Sequence, residues 1–446
     1  MKLKNKKVLV YGLGVSGIGA INLLKKKKAK IYFYDDNKNL TSEIPFNVIR
    51  VENITENFLS LIDLIVVNPS VSKYCENLKL ASLLNVKIIS EIELAYLCCR
   101  GKIISITGSN GKSTTSTLIY NIFNRAGINC NLVGNIGTSF CNEVAKKVKQ
   151  TFIVEVSSFQ LETIHKYNSS VACFLNFTEN HLDRHFSIKE YFETKLRIFE
   201  NQTKHNFSIL NFDDEKLSPL KLKSNTFYFS KFHEVVGTFV KNKNIYFNNK
   251  KCIEKVMSVN DIRLQGSHNL ENVLCAVLVA KLNKIKNEDI ILGVSNFLGL
   301  NHRLEFVETI NGISFYNDSK STTIKATQTA LKAFNENKVL LILGGSFKGF
   351  NYDELFVNLS QNVKHIICLG EVKDNILLCA KNAGFNKITS VESFNLAVKL
   401  AFTFAKKEKL DTVLLSPATA SFDMFKNFEE RGNTFKKLVK ELKGEV

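Results

Sequence analysis

Four prolines in 446 residues leave no proline-rich linker, so domain borders have to be read from pattern alone. None of the ten cysteines stands in C-x-x-C spacing, which excludes a zinc site and a disulfide framework. Reduced thiols buried as small hydrophobes are expected, with Cys98 and Cys99 merely adjacent. No apolar run approaches the ~18 residues that span a bilayer, so no membrane insertion is expected. Internal repeats and low-complexity tails are missing too. Acids are fewer than bases, 42 Asp and Glu against 60 Lys and Arg, a net charge of +18 that invites a nucleic-acid reading. The lysines are strewn along the whole chain, however, and charges more than ~8 Å apart are largely screened at physiological salt. A solvated surface that mildly favours anionic substrates fits better, with no nucleic-acid partner. Lys25 to Lys28 form the one basic run, expected at the exposed end of the first helix. The start, MKLKNKKVLVYGLGVSGIGA, imitates a signal peptide, but four glycines interrupt its apolar stretch and it reads better as strand, turn and helix. A cytoplasmic protein is expected.

Hydrophobic residues at 45% and charged residues at 23% are ordinary for a soluble globular protein, and ~150 residues per domain suggests three domains. Residues 7 to 35 give a strand, the turn GLGVSG, a helix through Leu24 and a second strand, which opens a doubly wound α/β unit. LIDLIVVNPS and NVKIIS continue it to Ser90, and the short helix EIELAYLCC follows. KIISIT, TFIVEVSS and SVACFLNFT are apolar, β-branched runs typical of buried parallel strands. From Phe207 to Lys255 short strands with Asn and Lys turns suggest an antiparallel appendage, before the helix HNLENVLCAVLVAKL. GISFYND, KVLLILGG, HIICLG and TVLLSPA are strands of a last alternating region. The expected architecture is α/β in three domains, 1–92, 93–298 and 299–446. The first and last are Rossmann-like, and the central one is a mostly parallel sheet of P-loop ATPase type.

SITGSNGKSTT, residues 105 to 115, is a strand running into a phosphate cradle. Gly108 and Gly111 allow a tight turn whose N–H groups face phosphate oxygens, the helix N-terminus adds positive character, Lys112 supplies a charge and Ser113 a hydroxyl for Mg²⁺. Ile106 stands where a standard loop has its first glycine, so this loop is shorter. Gly12, Gly14 and Gly17 make a G-x-G-x-x-G turn with Asp35 and Asp36 about 20 residues on, which reads as a site for a second phosphorylated ligand. Glu155 ends an apolar strand, where a carboxylate suits Mg²⁺. His181 and Asp183 stand at the end of the next strand, and His181 is a candidate for a second metal position. Lys195 shares a helical face with Tyr191, Ile198 and Phe199; a lysine among apolar neighbours costs free energy unless paired, neutral or modified, and snorkelling is the ordinary outcome.

TGSNGKST, EVSSFQLE, NFTENHLDRH, YFETKLRIF, GSHNLENV, NHRLE, NDSKST and LSPATASFDMFKNFEERGNTF, in this order, resemble the Mur ligase family over nearly all 446 residues, most closely its D-glutamate-adding branch. EVSSFQLE and the run from Leu415 to Phe435 discriminate best, and no DNPR-like tetrad of a diaminopimelate- or lysine-adding relative is found. The resemblance implies ATP-dependent amide formation. ATP phosphorylates the carboxylate of UDP-N-acetylmuramoyl-L-alanine, the D-glutamate amine attacks the acyl phosphate, and the tetrahedral intermediate collapses with release of phosphate. It implies catalytic roles for Lys112, His181 and Lys195. ATP would be held by Gly108, Ser109, Asn110, Gly111, Lys112, Ser113, Thr114, Asn272, Arg303 and Asp318. One Mg²⁺ would sit on Ser113 and Glu155, a second on His181 and a carbamylated Lys195. The uridine sugar nucleotide would use Val15, Ser16, Asp35, Asp36, Ser70, Asn135 and His181, and D-glutamate Lys320, Thr322, Lys348, Ser421 and Phe428. A monomer is expected. The sequence departs from the family's pattern at Ser70, Asn180, Thr323 and Phe347.

Other readings predict different behaviour. A nicotinamide-dependent dehydrogenase would use Gly12 to Gly17 and leave residues 105 to 435 unexplained. A nucleotide switch or nucleic-acid binder would lose affinity steeply with salt. The L-alanine-adding ligase and folylpolyglutamate synthase are rivals within the family.

Overall fold

The computed structural model describes residues 2–37, 47–179, 184–264, 268–334, 336–347 and 349–445. Two compact units emerge, one from Met1–Arg263 with His268–Phe297, the other holding Leu298–Val446.

The first unit contains two sheets. The smaller is entirely parallel, with strands in the order Ile49–Arg50, Lys30–Tyr34, Lys7–Tyr11, Leu64–Val67 and Ile88–Ser90. Its central strands are Val, Leu and Ile runs buried on both faces, as parallel strands covered by helices must be. The larger has nine strands. From one edge they run Ile253–Ser258, Asn244–Asn248, Gly237–Lys241, Asn225–Ser230, Phe207–Asn211, Val171–Phe174, Lys102–Thr107, Thr151–Glu155 and Cys130–Gly134. Only the two pairings that involve Asn244–Asn248 are antiparallel. The stretch from Phe207 to Lys255 is therefore no separate appendage. Phe207–Asn211 pairs in parallel with Val171–Phe174 and carries the parallel sheet onward before the final hairpin.

Lys102–Thr107 is flanked by the later strands Val171–Phe174 and Thr151–Glu155, so the chain reverses direction of winding there. Such a switch point opens a crevice at the strands' C-terminal ends. The helix Lys112–Arg125 leaves it and packs on His268–Leu282, whose residues 273 to 280 are all fully buried, as expected of a helix apolar on every side. One hydrophobic core runs through both sheets, from Leu3 to Leu217. Glu91 and Glu93, buried in the helix Glu91–Cys98, tie the two halves further. Glu91 accepts from the Ser139 hydroxyl and Cys141 N–H (both 2.6 Å), and Glu93 from the backbone N–H groups of His165, Lys166 and Tyr167.

The second unit holds a six-stranded sheet ordered Glu305–Ile310, Ile313–Asn317, Thr412–Leu415, Val339–Gly344, Val363–Leu369 and Ile388–Ser390, antiparallel only in the first pair. Among the described residues no helix is long and apolar enough to cross a membrane. All ten cysteines are free thiols; six are buried as expected, Cys75, Cys98 and Cys99 are partly covered, and Cys252 is exposed.

Candidate active site

The cradle forms where the switch point requires it. Gly111 adopts φ +79°, and a Cβ there would lie 2.2 Å from Asn272 Oδ1, so only glycine fits. The loop is braced from the neighbouring strand end: Asn110 N–H donates to Asn176 Oδ1 (2.8 Å), Thr178 N–H to Ser109 Oγ (3.0 Å), and Ser109 Oγ to the Thr178 carbonyl (2.9 Å). Thr115 Oγ1 donates to Asn272 Oδ1 (3.1 Å), and Asn272 Nδ2 to Asn269. Asn272 therefore supports the loop from behind. Asn176 and Thr178 were missed in the sequence, although NFT directly follows the apolar strand and could have signalled a brace.

Two lysines converge on one carbonyl. Lys112 Nζ donates to Gly108 O (2.8 Å) and Ser109 O (3.0 Å), and Lys195 Nζ also donates to Gly108 O (3.0 Å). Lys195 does not snorkel. It is 1% exposed, beneath the Tyr191 ring at 4.7 Å, because Tyr191, Lys195, Ile198 and Phe199 all face inward. Burial first, then the like charge of Lys112, holds its pKa well below the ordinary lysine value, and Glu155 opposes the shift.

Glu155 ends its strand fully buried. Its carboxylate accepts from Asn135 Nδ2 (2.7 Å) and Ser116 Oγ (3.5 Å), both neutral, and among the described residues no cation lies within 4 Å. A buried carboxylate bonded only to neutral donors, with the Ser113 hydroxyl in the adjoining first helical turn, suits a hard divalent cation. Asn135, expected at the sugar nucleotide, is thus held against Glu155.

At the first glycine turn, Gly12 N–H donates to Tyr34 O (2.8 Å), and a Cβ on Gly17 would meet Gly12 O at 2.0 Å. Asp35 accepts from Leu13 N–H (2.6 Å), and Asp36 from the Tyr11 hydroxyl (3.0 Å). These acids brace the turn itself. Val15 is exposed and, with Ser16, begins the helix Val15–Lys26. Ser70 donates from N–H and Oγ to Asn68 Oδ1, and Arg184 donates to the Ser70 and Val71 carbonyls.

In the second unit, Asp318 is buried and accepts from Ser416 Oγ (2.8 Å) and Leu304 N–H (3.2 Å); burial raises its pKa to about 6 against those bonds and Arg303. Lys320 Nζ lies 5.4 Å from the Phe428 ring centre, and Ser319 Oγ donates to Phe428 O. Arg431, overlooked in the sequence, organises this region. Fully buried, it donates to Ser319 Oγ and to the carbonyls of Ser319, Gly344, Thr419 and Ala420. It thereby gathers the segments that carry Lys320, Ser421 and Phe428. Thr322 N–H donates to Lys320 O, Thr323 caps the helix Ile324–Leu331, and the exposed Phe347 donates its N–H to Glu371. His181, Lys348, Asn180 and Asp183 lie outside the described residues.

A short phosphate loop at a switch point, backed by a buried lysine and carboxylate, defines a nucleotide-dependent α/β enzyme. Three family domains match along the chain: a MurD-like N-terminal domain over residues 6–90, a Mur ligase middle domain over 106–280, and a Mur ligase glutamate ligase domain over 302–419. The chain belongs to the Mur ligase family. It is 39% identical to a UDP-N-acetylmuramoylalanine--D-glutamate ligase of Thermoanaerobacter sp. (strain X514), over 99% of this chain and 100% of that one. It is also 38% identical to the same-named protein of Caldicellulosiruptor bescii, over 99% of each. Among solved structures, MurF ligase of Thermotoga maritima in complex with ADP aligns at TM-score 0.56 and 16% identity, over 99% of this chain and 96% of that one. UDP-N-acetylmuramate-alanine ligase MurC of the same organism aligns at 0.56 and 15%, over 99% and 100%. These structures share the fold.

Proposed function

We propose that this chain joins D-glutamate to UDP-N-acetylmuramoyl-L-alanine with consumption of ATP, a step in peptidoglycan precursor synthesis. Near-full-length identity to D-glutamate ligases supports the substrates. The chemistry rests on one observation: Lys112 and Lys195 converge on Gly108 O, on a loop whose neighbouring strand ends in the buried Glu155.

In this reading residues 1–92 hold the sugar nucleotide, 93–298 ATP and 299–446 D-glutamate. Lys112 leaves the loop carbonyls for the γ-phosphate, and the loop N–H groups take the remaining phosphate oxygens. A substrate carboxylate oxygen attacks the γ-phosphorus and ADP leaves. The D-glutamate amine then attacks the acyl carbon, loses a proton, and the intermediate collapses to the amide with phosphate as leaving group. Ser113 with Glu155 would hold one Mg²⁺, and His181 with a carbamylated Lys195 a second; bound there, the ions supply neutralisation of phosphate charge. The lowered pKa of Lys195 shifts its amine toward the neutral form, the one that carbon dioxide carbamylates. Asn272 supports the loop, while Arg303 and Asp318 serve ATP. Lys320, Thr322, Lys348, Ser421 and Phe428 receive D-glutamate. Val15, Ser16, Asp35, Asp36 and Ser70 serve the sugar nucleotide, with Asn135 reaching it from beside Glu155. The enzyme works as a cytoplasmic monomer.

A ligation assay offering D-glutamate, L-alanine, lysine and diaminopimelate against their matched sugar nucleotides tests the reading. Product with D-glutamate alone is expected; a better yield with another amino acid refutes the substrate assignment.

A further inference from the structure

A cavity of about 460 Å³ opens in the first unit, where the helices Val15–Lys26, Glu91–Cys98 and Phe140–Ala145 end together. The glycine turn at Gly14 lies at the opposite end of Val15–Lys26, so this cavity is distinct from the proposed sugar-nucleotide turn. Its volume falls within the range of small-molecule sites.

Five cations line it: Lys26, Lys27, Arg100, Lys147 and Lys149. No acid does, although the chain carries 42 acids for its 60 bases. Lys26 is committed to the Ala145 carbonyl (3.0 Å). Among the described residues the other four enter no ion pair within 4 Å. The three helix C-termini contribute roughly half a negative charge each at most, too little to offset five cations. Between the cations the accessible lining is apolar, the half-exposed Val148 and the partly covered Cys98 and Cys99 lying over the buried Leu23, Val144 and Phe152. The excess positive charge is therefore not merely diffuse: folding gathers Lys26 and Lys27 of the basic run beside Arg100, Lys147 and Lys149, which lie far away in sequence.

We propose that this cavity binds an organic phosphate with an apolar body, the phosphate on the lysine and arginine rim and the body against Val148, Cys98 and Cys99. Such a group can come from a soluble phosphate ester or from the headgroup of an acidic lipid.

Two arms distinguish the sources. Dihexanoyl phosphatidic acid, kept monomeric, is titrated by calorimetry; flotation uses phosphatidylcholine vesicles with and without phosphatidic acid. Saturable one-to-one binding of the soluble probe without flotation supports a soluble ligand, and flotation that requires phosphatidic acid supports a lipid. In either arm Arg100→Glu/Lys147→Glu/Lys149→Glu should weaken binding at least about tenfold. Val148→Asp, an exposed position whose substitution leaves the core intact, should weaken it in the same direction. Ligation should stay unchanged in both variants. Lys406→Glu/Lys407→Glu/Lys440→Glu, exposed positions of the second unit, should bind as the parent does. Three results overturn the proposal: no binding in either arm, equal loss in the second-unit variant, or displacement of the probe by ATP or the sugar nucleotide.

Discussion

Lys112 and Lys195 differ in what their burial leaves them able to do. Lys112 is part-buried on two loop carbonyls that a phosphate can replace as partners, so Lys112→Ala should lower ligation by on the order of 10³-fold while circular dichroism and the melting temperature hold. Unchanged turnover would remove Lys112 from the mechanism. Lys195 sits with its amine pushed toward the neutral form by burial and by Lys112. The protonated amine is disfavoured inside, so carbamylation should be favoured as pH rises through its lowered pKa and lost below it. Carbon-13 bicarbonate should give a carbamate resonance that falls at acid pH and is missing from Lys195→Ala. Ligation by Lys195→Ala should recover in part with added acetate, and a variant as active as the parent without acetate would contradict the role.

Gly111 makes the loop an element rather than a chance turn. Alanine there would carry φ +79°, at a cost of about 1–2 kcal/mol, and would push against Asn272. Gly111→Ala should therefore weaken ATP binding by on the order of tenfold in calorimetry, with the sheet intact; parent-like affinity would show that the loop tolerates a side chain. The loop was legible because glycine, lysine and hydroxyl residues follow an apolar strand. Its braces were not, since Asn176 and Thr178 act across the sheet. The burial of Lys195 was likewise invisible, because helical spacing identifies a shared face without saying what covers it. Arg431 was hidden within a charged stretch, FEERG, that reads as an ordinary solvated helix.

At the scale of the whole molecule, alternation of apolar runs with helices revealed three α/β sheets, and the family signature followed from motif order. Pattern failed where strands are short or polar. Cys130–Gly134, Glu305–Ile310 and Ile388–Ser390 were not read as strands, and Phe207 to Lys255 was separated from a sheet it extends. The matched N-terminal family domain ends at residue 90, and one hydrophobic core joins its sheet to the next. Electrostatics also acts on the second unit as a body. Burial holds the Asp318 pKa at about 6, so between about pH 4 and 6 the native carboxyl keeps a proton that the unfolded chain has released. Stability should fall as pH rises through that window, by about 3 kcal/mol from this group. Urea titrations of Asp318→Asn should lose that part of the pH dependence; an identical profile would contradict it.

The central claim is that the substrate carboxylate is activated as an acyl phosphate by ATP held on the Gly108–Lys112 loop. Ligation with UDP-N-acetylmuramoyl-L-alanine labelled with oxygen-18 in its carboxylate tests this directly. Mass spectrometry of the released phosphate should find one labelled oxygen per amide formed. Phosphate free of label, with amide still produced, would contradict the account.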